Sequence, residues 1–133
     1  MIMPRIFIAA TLLSTLCACS SEPVREFQSR VQGLFQPAKG QAALSAGMHQ
    51  YENGEYPASA KSLRTALKQG LSDQDSATAH KYLGFIDCAS NRARQCREEF
   101  RKALDADPTL DLMPAEAGHP VWGPIFRSVK AGR

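Results

Sequence analysis

Gly47, Leu63 and Ala66 return as Gly84, Phe100 and Ala103, and each pair is 37 residues apart. Self-similarity at a period of a few tens of residues marks stacked units, none of which buries its apolar face alone. The residue types say how such units pack. A small residue on one helix lets a second backbone come close, and a large residue beside it fills the gap. The pattern therefore describes two helical hairpins with one shared packing plan. At 133 residues the chain has room for one small domain, which buries a modest share of its surface and is marginal without help.

Helix punctuation sets the boundaries. Gly70 is placed to end the first hairpin as a C-cap. Ser72, with Asp75 three residues on, has the form of a capping box. Asn91 suits a left-handed turn between helices, and Pro108 stops the last repeated helix. Pro37 and Gly40 break the chain before the first. Helices are expected near 40–52, 56–69, 73–89 and 93–106, and the fold class is all-α. The tail, DLMPAEAGHPVWGPIFRSVK, is not a third copy, because Pro114, Pro120 and Pro124 interrupt it. Val121, Trp122, Ile125, Phe126 and Val129 form an apolar stripe. Stacked hairpins leave a hydrophobic end that needs cover, so residues 109–133 are read as a capping segment. Trp122 has a second reading, as an anchor for a partner.

The second copy, AHKYLGFIDCASNRARQCREEFRKALDADP, resembles a tetratricopeptide (TPR) repeat. Leu83 and Gly84 match the family's first-helix pair, Cys96 its small residue on the second helix, and Phe100, Ala103 and Pro108 complete the pattern. The first copy supplies Gly47, Gly54, Tyr56, Ser59, Leu63 and Ala66. Three additional residues per period fall in the link around Gly70 to Gln74. Two repeats are thus expected over 39–108, below the roughly three that usually make such an array stable. Asp87 and Ala93 stand where the family usually has large aromatics, which leaves the second turn short of filling.

Cys88 and Cys96 flank that turn. They are nearly equidistant from Asn91 and Arg92, hence level on two antiparallel helices. A disulfide needs Cα atoms roughly 4.4–6.8 Å apart, and this placement suits one. In the loop-entropy picture, closing so short a loop contributes about 2–3 kcal/mol. The alternative is a pair of buried free thiols. A zinc site is not expected, because ligand pairs favour two to four intervening residues and here there are seven.

The start of the chain carries an address. Arg5 precedes an apolar run of eleven residues, Ile6 to Leu16. That suits a signal-peptide core and is too short to span a bilayer, which takes about 20 residues. Leu16, Cys17, Ala18 and Cys19 then resemble a bacterial lipobox. The resemblance implies removal of residues 1–18 and a lipid on Cys19. Cys17 fits poorly as the acceptor, since Leu16 stands in the residue position before it where a small residue belongs. Several acyl chains on one residue give stable attachment. Ser20 and Ser21 resemble the outer-membrane default, which implies a lipid-anchored protein facing the periplasm, where disulfides persist. Residues 19–38 read as a lipidated tether. Within it Val24, Phe27, Val31, Leu34 and Phe35 recur at helical spacing, as a short helix packed on its own domain or lying on the membrane.

Charge and motifs exclude several function classes. The net charge is +3, or +2 from Cys19 onward, and no concentrated basic stripe marks a nucleic-acid surface. There is no P-loop, G-x-S-x-G or H-E-x-x-H motif. His49, His80 and His119 are scattered. Glu98 and Lys102 read as an i,i+4 ion pair on an exposed face. No enzyme activity, cofactor, metal or small-molecule substrate is expected.

The TPR resemblance implies instead a partner segment bound on the concave face of the first helices. Carried over by position, that face includes Leu44, Met48 and Tyr51, then Lys81 and Phe85. Arg92, Arg94 and Arg97 near the second turn read as a solvated face. A closer resemblance covers roughly residues 77–130. The segments AHKYLGFIDC, RQCREEFRKALDADP and PAEAGHPVWGPIFR are similar to the small TPR lipoproteins that accompany type VI secretion gene clusters (the TssQ type). It implies an adaptor tethered to the outer membrane that engages another component of the envelope secretion complex. Two other readings stand beside it: a lipid-anchored TPR scaffold for outer-membrane protein or pilus assembly, and a regulator of a cell-wall enzyme.

Overall fold

Small residues facing large ones draw the chain into paired helices. A computed structural model describes residues 38–133. The leader read over 1–18, the lipidation site Cys19 and the tether up to residue 37 lie outside the described residues. The described part is all-α. Its helices are α1 (Gln41–Glu52), α2 (Tyr56–Gln69), α3 (Asp73–Ala89), α4 (Ala93–Ala106), α5 (Pro114–Ala117) and α6 (Trp122–Ala131). No strand occurs among the described residues.

The helix ends follow local chemistry. Gly70 closes α2 at φ 99°, and its N–H donates to the Ala66 carbonyl at 3.2 Å. Ser72 starts α3: its Oγ accepts from the Asp75 N–H at 3.1 Å. Asp75 differs from the expected box partner, because its carboxylate accepts from the Ser72 hydroxyl at 2.8 Å instead of reaching the backbone. Asn91 turns the chain from α3 to α4 at φ 59°, a conformation that asparagine tolerates better than most residues. In the same turn Arg92 donates twice to Oδ1 of the buried Asp87, at 2.6 and 2.9 Å. An ion pair thus closes the turn at the position the sequence left without an aromatic.

α1 packs on α2 and α3 on α4, while α2 and α1 both contact α3. The core has two parts. One centres on Leu44, Leu63, Ala66 and Ile86, the other on Phe85, Cys96, Phe100 and Phe126. Tyr51 and Tyr82 pack against both. Each hairpin has one point where a backbone meets a side chain with no room to spare. A Cβ placed on Gly47 would lie 2.8 Å from Leu63, and one on Gly84 would lie 2.6 Å from the Phe100 ring. Cys88 and Cys96 stand at disulfide distance across the second hairpin, 5.1 Å between Cα atoms.

The tail returns over the second hairpin. α6 packs on α4 and α3, and α5 on α6. Phe126 is 1% exposed and meets Phe100 edge-on, 5.3 Å between centroids. Val121 departs from the expected stripe. It is the N-cap of α6, ahead of the first turn, and is 45% exposed. The expected Glu98–Lys102 pair also rearranges: Glu98 accepts from Arg94 and Lys102 donates to Glu99.

The Gly84 contact makes a direct prediction. Alanine is favoured over glycine inside a helix by about 1 kcal/mol, but overpacking a filled core costs about 1–3 kcal/mol. Phe100 is wedged between Phe85 and Phe126, so its ring has nowhere to go. Gly84→Ala should therefore lower the unfolding free energy in urea, by about 1–2 kcal/mol after the two effects are combined. A gain in stability would mean that the helices are free to separate there.

Candidate protein-binding site

The residues expected to offer a binding face occupy three different settings. Leu44 and Phe85 are 2% and 1% exposed and belong to the core. Lys81 is buried too. Met48 and Tyr51 are partly buried at the edge of the first cluster. The correction has one cause for the second hairpin: the chain's own α5–α6 segment lies over Lys81 and Phe85. Leu44 is lost to the surface because it packs into the first hairpin's interior.

Lys81 donates both to Oε1 of Glu116, at 2.8 Å, and to Oε2, at 3.0 Å. Glu116 stands in α5, and its Oε2 also accepts from the Met113 N–H at 2.9 Å. The Lys81 ammonium lies 5.3 Å from the Tyr82 ring centroid and 5.6 Å from that of Phe85, within range of cation–π attraction. One ring further, Trp122 covers Phe85 with centroids 4.8 Å apart. The Trp122 indole N–H donates to the Glu116 carbonyl at 3.0 Å. His119 stacks flat on the Trp122 indole, with an interplanar angle of 2°. The Lys81–Glu116 ion pair and the Trp122–Phe85 contact fix the tail onto α3, while the indole hydrogen bond and the His119–Trp122 stack hold the tail together internally.

What remains accessible are the tyrosines of an aromatic row that continues through the buried Phe85 to Trp122. Tyr51, in the last turn of α1, has ring centroids 5.4 Å from Tyr56, 5.0 Å from Tyr82 and 6.2 Å from Phe85. Tyr56 is 41% exposed, and Tyr51 and Tyr82 are half-buried. The row thus runs from α2 across α1 and α3 to Trp122 and His119. Burial dominates the titration of its phenols. Burial pushes the Tyr51 phenol up to about 12, with further contributions from Tyr56, Tyr82 and Glu116. Burial also raises Tyr82, followed by the charges of Glu116 and Glu52. The surface can stack on apolar or cationic groups and donate phenolic hydrogen bonds.

The histidines do separate work. His49 contacts Asn53, and His80 pairs with Glu99 at 2.6 Å. For Glu99, burial raises the pKa, but hydrogen bonds from His80 and Lys102 outweigh it and leave the carboxyl below its ordinary range. Sequence reasoning missed Tyr82, Glu116 and His119 as parts of this site. Tyr82 had a signal, since it stands one helical turn before Phe85. Glu116 had none: it is 35 residues from Lys81, and no local pattern links them.

No family model matches the chain, and neither a curated protein nor a solved structure matches it.

Two outcomes follow from this geometry. Removing one member of a buried ion pair strands the other. Lys81→Met and Glu116→Gln should each destabilise, while the double variant should lose less than the sum, with a coupling of about 1–3 kcal/mol. Additive losses in urea unfolding would show that the two side chains do not act together. The second outcome concerns alkali. A pKa raised in the folded state gives stability that is complete below the unfolded value near 10 and disappears as pH rises toward about 12. Tyr51→Phe should therefore weaken the fall in stability across that window. Phenolate absorbance in the folded wild type should rise late, and ordinary titration of all three tyrosines would refute the assignment.

Proposed function

We propose that this chain is a lipid-anchored scaffold of the TPR type whose aromatic row engages a protein partner of the bacterial envelope. The observation that carries the reading is the unbroken contact of Tyr56, Tyr51, Tyr82, Phe85 and Trp122 across both hairpins and the tail. Aromatic side chains give large contact area with few rotatable bonds, and tyrosine and tryptophan concentrate in binding hot spots. Two hairpins with equivalent close contacts at Gly47 and Gly84 support the TPR-like arrangement. The lipobox residues Leu16 to Cys19 support the anchor, and with it placement in the outer membrane facing the periplasm. In that oxidising setting Cys88 and Cys96 form a bridge. The resemblance over 77–130 points to an accessory of a type VI secretion envelope complex, with scaffolding rather than catalysis as its role.

The face differs from the one expected. It is built around Met48, Tyr51 and Tyr82, because the tail occupies Lys81 and Phe85. Affinity purification of the lipidated full chain from membranes in mild detergent tests the reading. A secretion-complex component should be recovered with wild type and lost with Tyr51→Ala/Tyr82→Ala. Recovery of a cell-wall enzyme or a pilus assembly protein in its place would sink the secretion assignment. Retention of the partner by the double variant would sink the aromatic row. Cys19→Ala should abolish both the acyl mass and the membrane attachment.

A further inference from the structure

A separate, basic surface lies on α4. Arg97 and Arg101 lie one helical turn apart on its exposed side. Among the described residues neither forms an ion pair. Like charges at this spacing weaken a helix. The start of α4 adds to the imbalance. Arg92 is its N-cap, Arg94 follows, and the first turn holds no acid, although the positive end of a helix dipole favours negative charge there. Arg92 and Arg94 are answered by Asp87 and Glu98, whereas Arg97 and Arg101 have no such partner among the described residues.

The two arginines line a groove of about 420 Å³ between α4 and α6. Ser128, Val129 and Arg133 line it from the tail side. Asp105 is the one acid among the lining residues, and Arg133 holds it at 3.0 Å. The guanidiniums of Arg97 and Arg101 therefore line the groove without an ion-paired carboxylate among the described residues.

We propose that this groove docks an acidic segment of a partner protein, with carboxylates paired to Arg97 and Arg101. Guanidinium matches carboxylate as a two-pronged donor, which lysine cannot do. The Ser128 hydroxyl adds a donor on the facing wall. A protein segment fits better than a membrane surface. Interfacial binding combines basic residues with adjoining apolar anchors, whereas the exposed large hydrophobics of the described residues are Tyr56, Met113 and Val121, none of which lines the groove. The site shares no residue with the aromatic row, so it stands or falls independently of that reading.

Fluorescence anisotropy of a fluorescein-labelled hexa-aspartate peptide, titrated with the full chain at low salt, tests the proposal. Binding should saturate and weaken as salt screens the charges. Arg97→Gln/Arg101→Gln should reduce affinity by about tenfold or more, as loss of charged contacts does. Lys61→Gln/Lys68→Gln, which removes the same charge from exposed positions of α2, should leave it unchanged. Arg97→Lys/Arg101→Lys keeps the charge and should still weaken binding several-fold. Unfolding midpoints for all variants guard against loss of fold. Equal losses in the α4 and α2 variants, or no saturable binding, would overturn the proposal. So would arginine-dependent binding to phosphatidylglycerol vesicles by a chain that ignores the peptide.

Discussion

Phe100 lies against the bare backbone of Gly84, and this contact sets the separation of α3 and α4. The rest of the second hairpin follows from it. With no side chain between the helices, the Phe100 ring can meet Phe85 on one side at 5.8 Å and Phe126 on the other at 5.3 Å, both edge-on. Edge-to-face rings add about 0.5–1.5 kcal/mol beyond the area they bury. The same separation brings Cys88 level with Cys96. It also fixes where α6 can sit, since Phe126 is the tail's most buried side chain.

The two hairpins share this plan but lock it differently. Ser59 and Cys96 occupy equivalent places 37 residues apart. In the first hairpin the Ser59 hydroxyl donates to the Gly47 carbonyl at 2.7 Å, fully buried. In the second, the sulfur of Cys96 meets Cys88. The residue equivalent to Cys88 is Tyr51, which faces outward into the aromatic row. One position of the period thus serves as a staple in one unit and as a member of the aromatic row in the other. The staple lies in the hairpin that also carries the tail, where α1, α2, α4 and α6 all contact α3.

What the sequence made legible was local or periodic. The four main helices were readable because their ends are written in short-range chemistry: Gly70, Ser72, Asn91 and Pro108 each act within a few residues of themselves. The cysteine pair was readable because distance from a tight turn translates into height along two helices. The face was less readable. Position in a period places Lys81 and Phe85 on the inner side of α3, but cannot say what covers them. That depends on how Pro114, Gly118 and Pro120 steer the tail, and prolines show where a helix breaks without showing where the chain goes next. Surface ion pairs were least readable. Glu98 had basic residues one turn away on both sides, Arg94 before it and Arg101 and Lys102 after it, and took Arg94, since exposed pairs differ by less than their side-chain entropy.

The arrangement around Trp122 has an optical consequence. It is the chain's single tryptophan, and it sits at the seam between the tail and the second hairpin, in contact with both the Phe85 ring and the His119 imidazole. Its emission is therefore a site-specific signal. Lifting of the α5–α6 segment would expose the indole to water and separate it from the imidazole, while events confined to α1 and α2 would leave it dark to change. The protein carries a built-in probe of one internal boundary, able to distinguish detachment of the tail from melting of the whole.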